Sequence, residues 1–424
     1  MTTAVLIGAG DRGARAYAPY ALTHPNELQI VAVAEPDQSR REALAQRFGI
    51  KEAYVFTDWR ELLGKARLAD AALVCTQDSQ HFEPAMAAMD AGYHTLLEKP
   101  MSNDPAECFR LGEKSKNVAR TLTVCHVLRY TPFFSMIKQI IDEGRVGELA
   151  TIQLNESLGY WHMAHSYVRG NWRNSRTSSP MILSKSSHDM DILLWLANSD
   201  CTSVTSFGSL LHFHKGNAPE GAPERCLDGC PIADTCPYYA PRIYRNGDTS
   251  WPASVVSADP SPEARLRALR DGPYGRCVYR CDNNVVDHQV VNAQFDNQVT
   301  ASFTLSGFTE HNTRTIRITG TEGEIHGHLE RGEIMVHRFS AKHVETLQIT
   351  EKTMGHSGGD KGIMRDFVRV VGNNHVKPSA SLTSAEVSVQ SHLMAFAAEE
   401  SRRNGSVVHM PSYREQLSIS AEVS

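Results

Sequence analysis

An apolar run at residues 4–10, AVLIGAG, ends in glycines spaced as Gly8-Ala9-Gly10-Asp11-Arg12-Gly13 and leads straight into a helical stretch. No other feature narrows the fold as much. In that context the first glycine permits a tight bend, the second lets backbone approach a ligand closely, and the third lets a helix pack on the strand. The unpaired N–H groups at the start of such a helix suit a diphosphate. About twenty residues on, Glu35 ends a second apolar run at 29–35, where a carboxylate accepts bonds from ribose hydroxyls and repels a 2′-phosphate. The expected ligand is a dinucleotide, NAD in preference to NADP, with Gly8, Gly10, Asp11, Arg12, Gly13 and Glu35 around it. Arg40 and Arg41 keep the phosphorylated form open.

Further β-rich runs at 71–76, 94–100 and 121–126 alternate with helical periodicity at 38–48 and 81–91, the latter stopped by Gly92. Strand–helix alternation implies right-handed crossovers and a doubly wound parallel sheet, an α/β Rossmann domain over residues 1–130. After Tyr130 the rhythm changes. Runs rich in β-branched residues at 150–157, 203–214, 285–296, 298–307, 313–319 and 333–339 are interrupted by helical stretches at 189–197, 361–371 and 384–403. The expectation for residues 131–424 is an α+β domain with an open, mostly antiparallel sheet, and a Cys-rich insertion at about 217–282. A length of 424 residues suits two cores.

A net charge of −5 gives no basic field for nucleic acid. No apolar run nears the ~20 residues of a membrane span, and no basic segment precedes the opening run as in a signal peptide, so no membrane is expected and the cytoplasm is the expected address. Cys75, Cys108, Cys125 and Cys201 stand singly in apolar sequence and read as buried thiols. Cys226, Cys230, Cys236, Cys277 and Cys281 share the insertion. Four of these five are candidates for a structural zinc or an iron–sulfur cluster, with a metal-free loop of thiols the alternative. Four sulfur ligands would leave no open position, so such a metal would staple the loop.

Lys99 ends the run at 94–100, the strand edge where open α/β sheets bind ligands. An ammonium there can polarise a hydroxyl and stabilise developing alkoxide charge. Thr76, His81, Glu98 and Lys99 are placed beside the dinucleotide. His188 opens the helix HDMDILLWL, and an imidazole is suited to accept the hydroxyl proton. Residues 160–173 concentrate rings, imidazoles and guanidinium groups, the mixture a sugar needs. His162, His165, Arg169, Trp172 and Arg173 are therefore substrate candidates, together with Arg129, Tyr130 and Asp191; Asp360 and His356 are placed near the same cleft.

Residues 8–13, the triplet Glu98-Lys99-Pro100 and His188-Asp189-Met190-Asp191, in that order, resemble the glucose–fructose oxidoreductase, inositol dehydrogenase and rhizopine-catabolism (Gfo/Idh/MocA) family over nearly the whole chain. The resemblance implies NAD(P) held between a Rossmann domain and an open-sheet domain, a sugar or polyol substrate, Lys99 as the active-site lysine, and association through the sheet face into a homodimer or homotetramer. One position departs. Many dehydrogenases of the family have an aspartate four residues before the histidine, but here Ser184 stands there, followed by Lys185. Either Lys185 takes part in catalysis or the proton relay differs, and a second lysine points to an acidic substrate group or a second polariser. The expected activity is NAD-dependent oxidation or reduction of a secondary hydroxyl of a sugar, polyol or sugar acid, with Lys99, His188 and Lys185 catalytic. The second reading is a glycosidase using transient oxidation by NAD, elimination, water addition and re-reduction; the third is a sensor without turnover.

Overall fold

The apolar runs of the first third become parallel strands: β1 (Thr2–Ile7), β2 (Leu28–Ala34), β4 (Ala71–Val74), β5 (His94–Leu97) and β6 (Leu122–Val124), joined by a two-residue edge strand, β3 (Val55–Phe56). The computed structural model describes residues 1–118, 120–257, 259–350, 356–373, 377 and 381–423, with backbone alone for 356 and 420–423. Strand order is β3-β2-β1-β4-β5-β6, so the winding reverses between β1 and β4 and leaves a crevice at their carboxyl ends. β1 stops at Ile7 because Gly8 turns the chain with φ +90°. The Gln38–Phe48 helix lies where the periodicity put it, capped by Asp37, which accepts the Arg40 N–H at 2.9 Å, and stopped by Gly49 at φ 63°. Two Pro-led helices, Pro105–Asn117 and Pro132–Asp142, were not anticipated.

The second half builds a nine-stranded sheet from β7 (Leu149–Gly159), β8 (Cys201–Ser209), β9 (His288–Phe295), β10 (Thr300–Thr309), β11 (Thr313–Gly320), β12 (Gly323–His328), β13 (Glu333–Arg338), β14 (Glu345–Gln348) and β15 (Val408–His409). The order is β14-β13-β12-β11-β7-β10-β9-β8-β15, antiparallel except for the parallel pair β7–β10. Alternation sets its two faces. Along β7, Ile152, Leu154, Glu156 and Leu158 point into the core while Gln153 and Asn155 point out. The Ser187–Ala197 and Ala385–Asn404 helices lie on the inner face.

The Gly359–Val371 helix returns from the far end of the chain to the first sheet, where Ile363, Met364 and Phe367 share a core with Leu6, Ile30 and Leu73. Within the insertion Cys226, Ala240, Tyr244 and Leu269 make a small core of their own. Among the described residues no helix is long and apolar enough to cross a membrane.

Candidate active site

The glycine turn lies at the β1/β4 crevice. A Cβ on Gly8 would come within 2.5 Å of the Cys75 carbonyl oxygen, and one on Gly13 within 2.2 Å of the Gly8 carbonyl oxygen, so both positions exclude any side chain. Gly10 differs: a Cβ there would meet nothing within 4 Å, leaving open space above the amino end of the Asp11–Tyr17 helix. That space, bounded by free-facing backbone, fits a diphosphate. Buried Glu35 accepts the Ala9 N–H at 2.6 Å and the Asp37 N–H at 3.0 Å, so the acidic residue holds the turn in place from the tip of β2. Each oxygen keeps a lone pair for a hydroxyl. Arg41 is bound to the Glu35 carbonyl at 2.6 Å, while Arg40 is exposed. Asp11 is exposed and faces Arg15 at 3.7 Å.

Arg12 clamps elements together. Its guanidinium donates to Glu98 (2.5 Å), to the Tyr17 hydroxyl (2.5 Å) and to Asp360 at the start of the Gly359–Val371 helix (2.6 Å). Arg12 and Lys99 outweigh burial and hold the Glu98 carboxyl below the usual range. His81 braces the neighbouring turn, with Nδ1 2.6 Å from the Pro100 carbonyl oxygen and Nε2 3.1 Å from that of Thr76. The Thr76 hydroxyl donates to the Gln80 carbonyl at 2.8 Å.

Lys99 follows β5 through this braced edge, joined to Pro100 by a cis peptide bond. Its Nζ donates to the Ser184 carbonyl oxygen at 2.5 Å, which brings the first sheet's edge to the segment one helical turn before His188. Burial pulls the Lys99 pKa down to about 8, opposed by the charges of Glu98 and Asp78 and assisted by those of Lys185 and Arg12. His188 is buried on the Ser187–Ala197 helix, its ring 5.8 Å from that of His126. His126 in turn lies 5.2 Å from His392, and burial holds both imidazoles in the neutral form.

Beside them lies a buried network. Lys185 Nζ is 3.0 Å from Glu156, Arg314 reaches Glu156 at 2.7 Å, and Arg314 also holds Asp189 at 2.7 Å. Two cations and two carboxylates balance, so Lys185 does not present an unopposed positive charge. Glu156 and Arg314 were not found from the sequence, although a carboxylate at an inward position of an otherwise apolar alternation was a readable signal. Asp78 was also missed; it accepts the Trp172 indole N–H at 3.2 Å and the Ser178 and Ser179 hydroxyls at 3.2 Å each.

The family model described as an oxidoreductase family with an NAD-binding Rossmann fold matches residues 2–126, and its C-terminal alpha/beta domain matches residues 138–410. The chain belongs to the Gfo/Idh/MocA oxidoreductase family. It is 22% identical over 311 residues to the putative oxidoreductase YteT of Bacillus subtilis, covering 70% of this chain and 72% of that one. It is 28% identical to inositol 2-dehydrogenase 1 of Saccharopolyspora erythraea over 178 residues, 42% of this chain and 49% of that protein, so the chain spans about half the length of such relatives. Among solved structures, levoglucosan dehydrogenase in complex with NADH and levoglucosan superposes with a TM-score of 0.72 at 18% identity, covering 97% of this chain and 99% of that one. An oxidoreductase from Agrobacterium radiobacter, in complex with NAD+, L-tartaric acid and magnesium, gives 0.68 at 14% over 97% and 99%. These likenesses establish the fold.

Within this Gfo/Idh/MocA chain the predicted substrate residues divide. His162 and Trp172 lie near the lysines: burial and then the charge of Lys185 keep His162 neutral, and Trp172 bonds to Asp78, whose charge acts on Lys99. Arg129 and Asp191 are buried and bound to each other through two contacts of 2.6 and 2.7 Å. Tyr130 donates to Asp366 at 2.8 Å. His165 pairs with the Tyr244 hydroxyl at 3.0 Å, and Arg173 with Asp282 at 2.8 Å. Arg169, fully buried beneath the insertion, donates to the carbonyls of Tyr238 (2.6 Å) and Arg276 (2.7 Å). Each of these six side chains is thus engaged by a partner within the protein. The side chain of His356 lies outside the described residues.

The structure gives the zinc expectation no support. Among the described residues no three His, Cys, Asp or Glu side chains converge as a metal site. Cys226, Cys230, Cys236 and Cys277 border one small cavity together with Arg169, but Cys281 turns away, donating to the Cys277 carbonyl at 3.3 Å. Burial raises the pKa of Cys236 and Cys281 and pushes that of Cys277 up to about 11. Spacing along the chain says nothing about whether sulfurs point to a common centre.

Proposed function

We infer that this chain oxidises or reduces a secondary hydroxyl of a carbohydrate or polyol, using NAD held by the Gly8–Ala9–Gly10 turn and Glu35. The observation that carries the reading is the Lys99 ammonium, part-buried at the carboxyl end of β5 and bonded to the Ser184 carbonyl one turn before His188, in a chain whose glycine turn leaves open space at Gly10. Bound nicotinamide would supply the hydride acceptor. Lys99 would donate to the substrate oxygen and stabilise its negative charge as the proton leaves, while His188 accepts that proton. Lys185 orients through Glu156, and its neutralised charge favours a neutral sugar over a sugar acid. Glu35 favours NAD over NADP, because a 2′-phosphate would meet a carboxylate held rigidly by two backbone N–H groups. The polar outer face of the nine-stranded sheet is read as the surface of self-association.

The test is a panel of sugars, polyols and aryl glycosides, with NAD and NADP in parallel, following NADH absorbance and released aglycone together. NADH accumulating in proportion to ketone is the expected result, and Lys99→Met and His188→Asn each lower kcat about 100- to 10,000-fold while calorimetric NAD affinity persists. Aglycone release without net NADH would replace this reading by the glycosidase cycle.

A further inference from the structure

The backbone that carries Lys99 has left the sheet at the end of β5, and side chains hold it instead. The Lys99 N–H donates to the Glu98 carboxylate. Pro100 has no N–H to give, and the Met101 N–H donates to His392 Nε2 at 2.9 Å. The carbonyl oxygen of that same Pro100–Met101 peptide lies 2.6 Å from His81 Nδ1. One peptide group is thus gripped at both ends by imidazoles, one from each half of the chain. His81, Met101 and His392 are buried, so water does not stand in for a lost partner.

The tautomer of His392 suits it to this place. Its Nδ1 lies 2.7 Å from the Ser388 carbonyl oxygen, one turn earlier in the Ala385–Asn404 helix. A carbonyl oxygen only accepts, so Nδ1 carries the proton and Nε2 presents the lone pair that a backbone N–H requires. Burial keeps this ring neutral, which preserves the lone pair. The next side chain back along the helix, Ser391, has its hydroxyl 3.3 Å from His126 Nε2, and the His126 ring packs edge-on against His188 at 5.8 Å. A single turn of this helix therefore meets the supports of both Lys99 and His188.

We propose that His392 is a positioning residue for Lys99: by holding the Met101 N–H it sets where the lysine's backbone stands, and so where Nζ meets the substrate oxygen. This rests on the reading of Lys99 given above. A reacting group works only when held within about 0.5 Å of its productive place by neighbours that are themselves locked. A displacement of about 1 Å, even one that originates far from the chemistry, costs about 100-fold in rate.

Two substitutions in the full-length protein separate the Met101 bond from packing. His392→Gln can place an amide oxygen where Nε2 stands. His392→Asn reaches only the Nδ1 position, so it keeps the bond to Ser388 and leaves Met101 without an acceptor; His392→Leu, which also lacks the acceptor, replaces it if a thermal melt shows Asn unfolded. Steady-state kinetics and NAD calorimetry are joined by a readout that needs no substrate: acetylation of Lys99 by acetic anhydride against pH, followed by mass spectrometry. In His392→Asn, kcat is expected to fall about 10- to 100-fold while KM and NAD affinity hold. The Lys99 midpoint moves up from about 8 toward that of an exposed lysine, and His392→Gln keeps both values near wild type. An unchanged kcat in His392→Asn, a Lys99 midpoint that does not move, equal damage in Gln and Asn, or kcat lost in step with NAD affinity each overturns the positioning role. If wild type turns over no carbohydrate, the carbohydrate reading fails and the Lys99 midpoints alone decide whether His392 positions the lysine.

Discussion

Lys99 shows how much of the chemistry rests on one side chain's surroundings. Burial lowers its pKa from 10.5 to about 8, so the folded chain releases this proton earlier than an exposed lysine would. The ammonium is present below pH 8 and lost as pH rises through it. If the charged form stabilises the alkoxide, kcat/KM for hydroxyl oxidation declines above about pH 8, a limb assigned to Lys99. A pH profile at saturating NAD checks this, with Lys99→Arg expected to be slower and to lack the limb, since a guanidinium keeps its proton. Rates that instead rise through the same range would make the neutral amine the base. The lysine was legible as a candidate because it ends an apolar run; its pKa was not, because Asp78, Arg12 and Lys185 come from other segments.

At the scale of elements, β7, β11 and the Ser187–Ala197 helix are joined by the Lys185–Glu156–Arg314–Asp189 network. Burial raises the Asp189 pKa and the Arg314 charge lowers it, while the two carboxylates raise that of Arg314 against burial. Removing one member leaves charges buried without their partner. Arg314→Leu is therefore expected to cost about 3–5 kcal/mol of stability, read as a lower midpoint in urea unfolding followed by tryptophan fluorescence. A shift equivalent to less than about 1 kcal/mol would mean that solvent reaches the network. Only Asp189 and Lys185 of the four were singled out from the sequence, Asp189 because it follows the histidine at a helix start and Lys185 because it stands beside the departure at Ser184. Arg314 lies far along the chain, and register alone brings it opposite Glu156.

At the scale of the whole molecule, the outward positions of the nine-stranded sheet carry mostly polar side chains that are exposed or half-buried. Across it Arg317, Gln153, Ser302, Asn292 and Thr205 line up on neighbouring strands in one row. Such a polar face suits an interface no more apolar than ordinary surface. Sedimentation velocity is expected to give a dimer or tetramer, and Gln153→Arg with Asn292→Arg to shift it toward monomer by placing four or more like charges against each other across a twofold contact. A wild-type monomer at all concentrations would reject the association.

The glycine spacing, the strand–helix alternation and the acid at the end of β2 settled the first sheet and its ligand class, since local backbone sterics and hydrogen bonding suffice for a strand, a turn and a helix start. The EKP triplet and the histidine helix marked the proposed reacting groups for the same local reason. What tertiary structure alone decided was which groups meet: Arg12 spent on Glu98 and Asp360, Arg129 on Asp191, Lys185 on Glu156, and four of the five insertion cysteines gathered at one small cavity while Cys281 bonds to the Cys277 carbonyl. Those outcomes depend on side chains brought within a few ångströms from segments far apart in sequence, and Coulomb and desolvation energies at that range depend on distance and burial, which residue order does not encode.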